Sequence, residues 1–295
     1  MSDKMNSKGL LLLLAVLPVL LILFFVYKKD KDKEPLGLLL SFFFKGIGSC
    51  FLVLAISNVL SVFLPFMNKE VEAMGFMEVF LYAFVCVALV EEVCKWMMVY
   101  FGGYNHQEFD EIYDILVYSI FVSLGFAFFE NLLYVFSSGS LQIAILRAVS
   151  AIPGHACDAV FMGYYLSLAK QCKVLKRKEQ EKSFKIKSIL IPTVLHGIYD
   201  FCLMSGYALF VLVFLVFVIF LYISSIKKLN KLSRANKNLN THQKRPHPNG
   251  IHHAQMQHHQ VQPQAQQPQM QSKFCSGCGA ELLGPFCVKC GRKNQ

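Results

Sequence analysis

Glu91-Glu92-Val93-Cys94-Lys95 stands inside an apolar run that extends from about Phe76 to Phe101. Charged side chains in hydrocarbon cost roughly 2.5–3.5 kcal/mol each even on a lenient insertion scale, so they normally face a polar cavity and mark a functional site. On a helix, Glu91 and Lys95 are four residues apart, share a face and can pair. Glu92 lies about 100° round the helix and is expected to point elsewhere. Two carboxylates in different environments are the arrangement that general acid–base chemistry uses. An inter-helix salt bridge is the plain alternative.

Further along the chain, other polar residues interrupt apolar spans: Glu130-Asn131, Arg147, His155 with Asp158, and His196-x3-Asp200. His196 and Asp200 are four apart, so the aspartate can orient the imidazole. Asp158, three residues after His155, can do the same for that ring. Pro153 and Pro192 stand just before the two histidines. Each frees a carbonyl one turn earlier and can kink its helix, making room for water. A single intramembrane histidine usually serves only as a hydrogen-bonding group between helices. Two histidines and three glutamates on four spans favour a site.

The elements that position these residues are membrane helices. The chain of 295 residues is 55% hydrophobic and 16% charged, with mean hydropathy +0.44. Several stretches exceed the roughly 18 apolar residues needed to span a bilayer. Spans are expected at 9–27, within 36–66, at 76–101, 115–136, 141–169, 188–204 and 207–226. The fold class is therefore all-α, a polytopic transmembrane bundle of about seven spans. The first reads as an uncleaved anchor, because Lys28–Glu34 follows it in place of a small-residue cleavage site. Lys45 and Gly46 suggest an interface or a cavity wall. The net charge of +10 comes from lysines in short segments beside apolar runs, a topology signal, and no specific nucleic acid is expected. Lysine-rich loops follow the first, fifth (170–187) and seventh spans. That bias puts the N-terminus outside and the C-terminal tail in the cytoplasm, with the cell membrane the expected location.

Cys50, Cys86, Cys94, Cys157, Cys172 and Cys202 are scattered along the spans and read as small core residues. The remaining four form Cys275-x2-Cys278-x8-Cys287-x2-Cys290. Paired Cys-x-x-Cys knuckles supply four thiolates to a tetrahedral zinc, and a filled set of four is structural. So short a segment needs the metal to fold. Disulfides are the alternative, but a cytoplasmic tail stays reduced. Between the last span and this ribbon runs a Gln/His/Pro-rich stretch expected to be a disordered linker.

Glu91-Glu92-x-x-Lys95, Phe126-x3-Glu130-Asn131, Arg147 with Pro153-Gly154-His155 and Gly163, and His196-x3-Asp200 occur in this order. They resemble the ordered motifs of the PrsW family of intramembrane proteases over about residues 36–204. That family is similar to the group of CAAX prenyl endopeptidases and bacteriocin-processing enzymes, sometimes called glutamic intramembrane proteases. In that wider group a histidine stands where this chain, like the PrsW branch, has Glu130. The chain is then expected to divide into an anchor with its basic loop (1–35), a PrsW-like protease domain (36–226), a basic and then Gln/His-rich linker (227–272) and an appended zinc ribbon (273–295) that is not part of the family core.

The resemblance also implies hydrolysis of a peptide bond of a membrane-anchored protein, without an acyl-enzyme. Glu91 is expected to be the base on water, with Glu92 the runner-up. His155 would position or protonate. His196 and Asp200 would stabilise the oxyanion or orient the water. Lys95 would set the carboxylate charges, and Glu130 and Asn131 would complete the polar cavity. Counted along its helix, Glu130 falls nearer the outer face than Glu91, which strains this assembly. No metal is expected in the protease core. The expected partners are the substrate, the bilayer and a protein bound by the ribbon. A zinc-dependent intramembrane metalloprotease would instead use His155, His196 and a glutamate as ligands, although no His-Glu-x-x-His is present. A transporter, a proton relay or a non-enzymatic scaffold would also bury such groups. The polar motifs do not repeat between the two halves, which disfavours transport.

Overall fold

The computed structural model describes residues 2–234, 273–274 and 281–282. Nine α-helices occupy the described residues: α1 (Ser2–Lys29), α2 (Leu36–Phe63), α3 (Phe76–Leu81), α4 (Val90–Gly103), α5 (Asp114–Ser138), α6 (Leu141–Leu146), α7 (Ile152–Val174), α8 (Lys178–Met204) and α9 (Ala208–Arg234). Two π-helical stretches interrupt this pattern. Tyr82–Leu89 joins α3 to α4, and Arg147–Ala151 joins α6 to α7. Both lie just before a motif, Glu91-Glu92 and His155, as such widened turns often do at functional sites. The helices belong to one compact unit, Met1–Lys237. In the second unit, β1 (Lys273–Phe274) pairs antiparallel with β2 (Glu281–Leu282).

Six helical segments of the described residues are long and apolar enough to cross a membrane. By length and apolar composition, six of the about seven expected spans qualify. The one that fails is 76–103, a continuous helical run that carries Glu78, Glu91, Glu92 and Lys95. The expected basic loop at 170–187 shrinks to 175–177, because α7 and α8 extend into it. Helix propensity of its Lys, Glu and Gln residues explains the extension.

The α5 helix is central. In its most apolar window 78% of residues are buried, against 17% in α9. Its neighbours are α1, α2, α4 and α7. Small residues allow the closest crossing, as in membrane bundles generally. A Cβ on Gly125 would run into the Phe43 carbonyl of α2, and a Cβ on Gly46 would run into the Val122 carbonyl of α5. Gly46 is therefore a helix-contact residue rather than the cavity wall its place beside Lys45 suggested. Lys45 itself lies over the Phe42 ring at 4.4 Å.

Pro153 sits at the start of α7, just after the Arg147–Ala151 π-helical stretch. Lacking an N–H, it leaves the Val149 carbonyl without its helical donor. Tyr222 Oη of α9 donates to that carbonyl at 2.7 Å. A helix at the other end of the chain thus satisfies a carbonyl just before the turn that carries His155. The six span cysteines are all buried and free, as expected of small core residues.

Candidate functional site

Lys95 is fully buried and lies at the centre of the polar cluster. Its Nζ is 3.0 Å from Glu91 Oε2, 2.9 Å from Glu92 Oε1 and 3.2 Å from His155 Nδ1. Below it lies the Phe126 ring, with the centroid 4.1 Å away. The expectation that Glu92 points away from Lys95 is corrected. The i,i+3 and i,i+4 positions both reach one long, flexible ammonium side chain.

His155 joins two halves of the site. Lys95 can only donate, so His155 Nδ1 accepts. The ring therefore carries its proton on Nε2, which stands 2.9 Å from Glu130 Oε2. The same Glu130 oxygen accepts from Arg147 Nη2 at 2.9 Å, and Arg147 Nε donates to Asn131 Oδ1 at 2.8 Å. Arg147 also stacks on Tyr134, 4.1 Å from the ring centroid. Ser123 Oγ fixes the backbone by donating to the His155 carbonyl at 2.8 Å. The expected separation of Glu91 and Glu130 in depth is thus closed by one linked chain of contacts through His155.

His196 is surrounded by acids. Its Nδ1 is 3.0 Å from Glu92 Oε1 and 4.0 Å from Asp158 Oδ2. Its Nε2 is 3.3 Å from Asp200 Oδ2 and 3.9 Å from Glu91 Oε2. The Asp200 contact follows the expected i,i+4 spacing. Asp158 does not: it approaches His196 of the neighbouring helix, because the His155 ring is already held by Lys95 and Glu130. The two histidine rings meet edge to face, 5.3 Å between centroids.

All eight expected site residues, Glu91, Glu92, Lys95, Glu130, Asn131, His155, His196 and Asp200, therefore join this network. Arg147, Asp158 and Phe126 add to it. Arg147 and Phe126 were legible as intramembrane charge and motif residue, but their contacts were not.

A cavity of about 320 Å³ opens over the cluster. Glu91, Glu130, Arg147, His155, His196 and Asp200 line it. Glu92 and Lys95 do not, and both are fully buried beneath it. Five carboxyl groups, those of Glu91, Glu92, Glu130, Asp158 and Asp200, face two permanent cations, Lys95 and Arg147. In a low-dielectric setting, protons or a bound cation must make up the balance. Glu92 Oε2 and Asp158 Oδ1 are buried without a hydrogen-bond partner, and Asp200 Oδ2 has only its ion-pair contact with His196.

The donor types also fit a metal ion. One donor atom each from Glu91, Glu92, His155 and His196 lies within 4.8 Å of the others. Two imidazoles and two carboxylates suit zinc or a similar divalent ion. The Lys95 ammonium reaches three of these four side chains, so metal and ammonium compete for the same donors. The cysteines expected to bind zinc, Cys275, Cys278, Cys287 and Cys290, lie outside the described residues.

Residues 34–224 match a family model described as PrsW family intramembrane metalloprotease. Among curated relatives, Protease PrsW of Oceanobacillus iheyensis is 37% identical over 198 residues, 67% of this chain and 84% of that protein. Protease PrsW of Clostridioides difficile is 36% identical over 67% of this chain and 80% of its own length. For Protease PrsW of Bacillus subtilis the figures are 34%, 68% and 86%. No solved structure matches the chain.

Proposed function

Because the chain belongs to the PrsW family of intramembrane proteases, we propose that Glu91 is the base that activates water against a peptide bond within the bundle. The observation that carries this is the split between adjacent glutamates. Glu91 lines the cavity, whereas Glu92 is sealed below it. Water held between Glu91 and a substrate carbonyl loses its proton to Glu91 as it attacks. His196, bordering the same cavity with Asp200 beside it, donates toward the oxyanion or the departing amine. Lys95 and Glu92 form the buried counter-charges that hold Glu91 and His196 in place. His155 positions Lys95 and Glu130 and is not free to take a proton at either nitrogen. Glu130, Asn131 and Arg147 complete the cavity wall.

The reaction passes through no acyl-enzyme. Ser150 lines the cavity, but its hydroxyl donates to the Leu146 carbonyl at 2.7 Å and accepts from Tyr199 at 2.8 Å. The substrate is a membrane-anchored protein. The lysine-rich segments support a cytoplasmic tail, and the cell membrane is the proposed location. The run 76–103 is read as crossing beside the six apolar segments. Residues 36–234 form the protease domain in this reading, because α9 runs past the expected boundary at 226; 1–35 is its anchor, and a linker follows up to 272. At 273–295, a zinc ribbon recruits a protein partner.

A second reading rests on the four clustered donors and on the family's description as a metalloprotease. A divalent ion held by Glu91, Glu92, His155 and His196 would polarise the peptide carbonyl and lower the pKa of bound water. Lys95 would then have to leave those donors. The ammonium already occupies three of the four donors, so the metal-free reading is preferred.

The test is cleavage of single-span peptides in vesicles by the wild type, Glu91→Gln and Glu92→Gln. Wild-type turnover of Glu91→Gln would remove the assigned base.

A further inference from the structure

We propose that a second cavity, beside the α8–α9 turn, is a substrate subsite for an extended segment that bears a basic side chain near the cleaved bond. This rests on the hydrolase reading above. The cavity encloses about 500 Å³. Leu203 and Met204 line both this cavity and the one over Glu91 and His196, so they form the partition between the two. Met204 is one helical turn, roughly 6 Å, beyond Asp200. An extended peptide advances roughly 3.3 Å per residue, so a chain crossing the partition enters the second cavity about two to four residues from the cleaved bond.

The walls state what such a segment carries. Val71, Met74, Phe76 and Val79 supply apolar surface. At the far side, Gly206 turns the chain with φ +71°, and a Cβ there would meet nothing within 4 Å. Glu72 is the sole charged residue of this lining. It is exposed and makes no ion pair with a described residue. The nearby Lys69 is taken by Glu78 at 2.7 Å. An unneutralised carboxylate on an apolar groove favours a basic partner and repels an acidic one. Screening limits the effect, because the site is open to water.

The experiment uses the full-length chain in phosphatidylcholine vesicles. It is offered single-span peptides in which Lys, Ser or Glu is walked through four positions on each side of the cleaved bond. Products are located by mass spectrometry. The wild type should favour Lys over Glu roughly fivefold at one of these positions. Glu72→Gln should abolish that preference and Glu72→Lys should reverse it. Wild-type cleavage with the same order of preference in Glu72→Lys overturns the subsite and leaves the hydrolase reading standing. Absence of cleavage of every peptide by the wild type overturns that reading, and the subsite with it.

Discussion

Lys95 Nζ stands 3.2 Å from His155 Nδ1, although sixty residues of chain separate them. An ammonium only donates, so this contact assigns the imidazole tautomer and directs its Nε2–H to Glu130. One buried cation thus links the Glu91-Glu92 pair to the Glu130–Arg147 pair through a ring whose two nitrogens are both engaged. In the proposed mechanism His155 is a brace and the proton-handling role is assigned to His196, whose ring lies within 4.0 Å of four carboxylates.

The two adjacent glutamates should separate in mutant kinetics. Glu91→Gln keeps the shape of the cavity wall and removes the proposed base. Cleavage should fall by roughly 10²–10⁴-fold with little change in KM. Glu92→Gln removes a buried partner of Lys95 and His196, so its thermal stability in detergent should fall together with its activity. Equal stability and equal activity in the two variants would contradict the division.

Lys95→Met leaves Glu91 and Glu92 buried without their cation. Breaking a buried ion pair from one side costs about 3–5 kcal/mol, whereas removing both partners costs far less. The single variant should therefore fold poorly. The double variant Lys95→Met/Glu92→Gln should regain part of that stability, because Glu91 still lacks its cation, without regaining activity. A thermal unfolding series in detergent measures this, and a double variant no more stable than the single would refute the pairing.

Gly125→Val should weaken the bundle at the crossing of α2 and α5. Its side chain would meet the Phe43 backbone, which cannot move aside as a flexible side chain can. Overpacking of this kind costs about 1–3 kcal/mol, and more where backbone is the obstacle. The readout is the unfolding midpoint and the yield of folded protein. Gly37→Val, at a position where a Cβ would meet nothing within 4 Å, serves as the control and should be tolerated.

Metal dependence should divide by region. A chain ending at Lys237, which keeps the whole membrane unit, should stay active after exhaustive chelation. The isolated segment 273–295 should bind one zinc under reducing conditions and lose it when Cys278 is replaced by Ser. Activity of the shortened chain that is lost to chelator and restored by zinc would reassign Glu91, Glu92, His155 and His196 as metal ligands. Zero zinc in the isolated segment would end the ribbon reading.

The sequence by itself determined the class of fold and the membership of the site. Long apolar runs have one solution in a bilayer, because backbone groups must be satisfied within each helix. Glutamates, histidines and a lysine inside such runs are too costly to face lipid, so they had to converge. Three things needed the tertiary structure. Periodicity on one helix directed Glu92 away from Lys95, but the length and flexibility of the lysine side chain let one ammonium serve both carboxylates. Spacing paired Asp158 with His155, yet the ring was already held from two other helices, and the aspartate went to His196. Depth counted along separate helices put Glu91 and Glu130 on different levels. The π-helical stretches and the tight α2–α5 crossing change rise and register in ways a straight-helix count does not contain. Which glutamate borders the cavity was likewise a tertiary fact, since adjacent residues of one helix differ only in what the neighbouring helices cover.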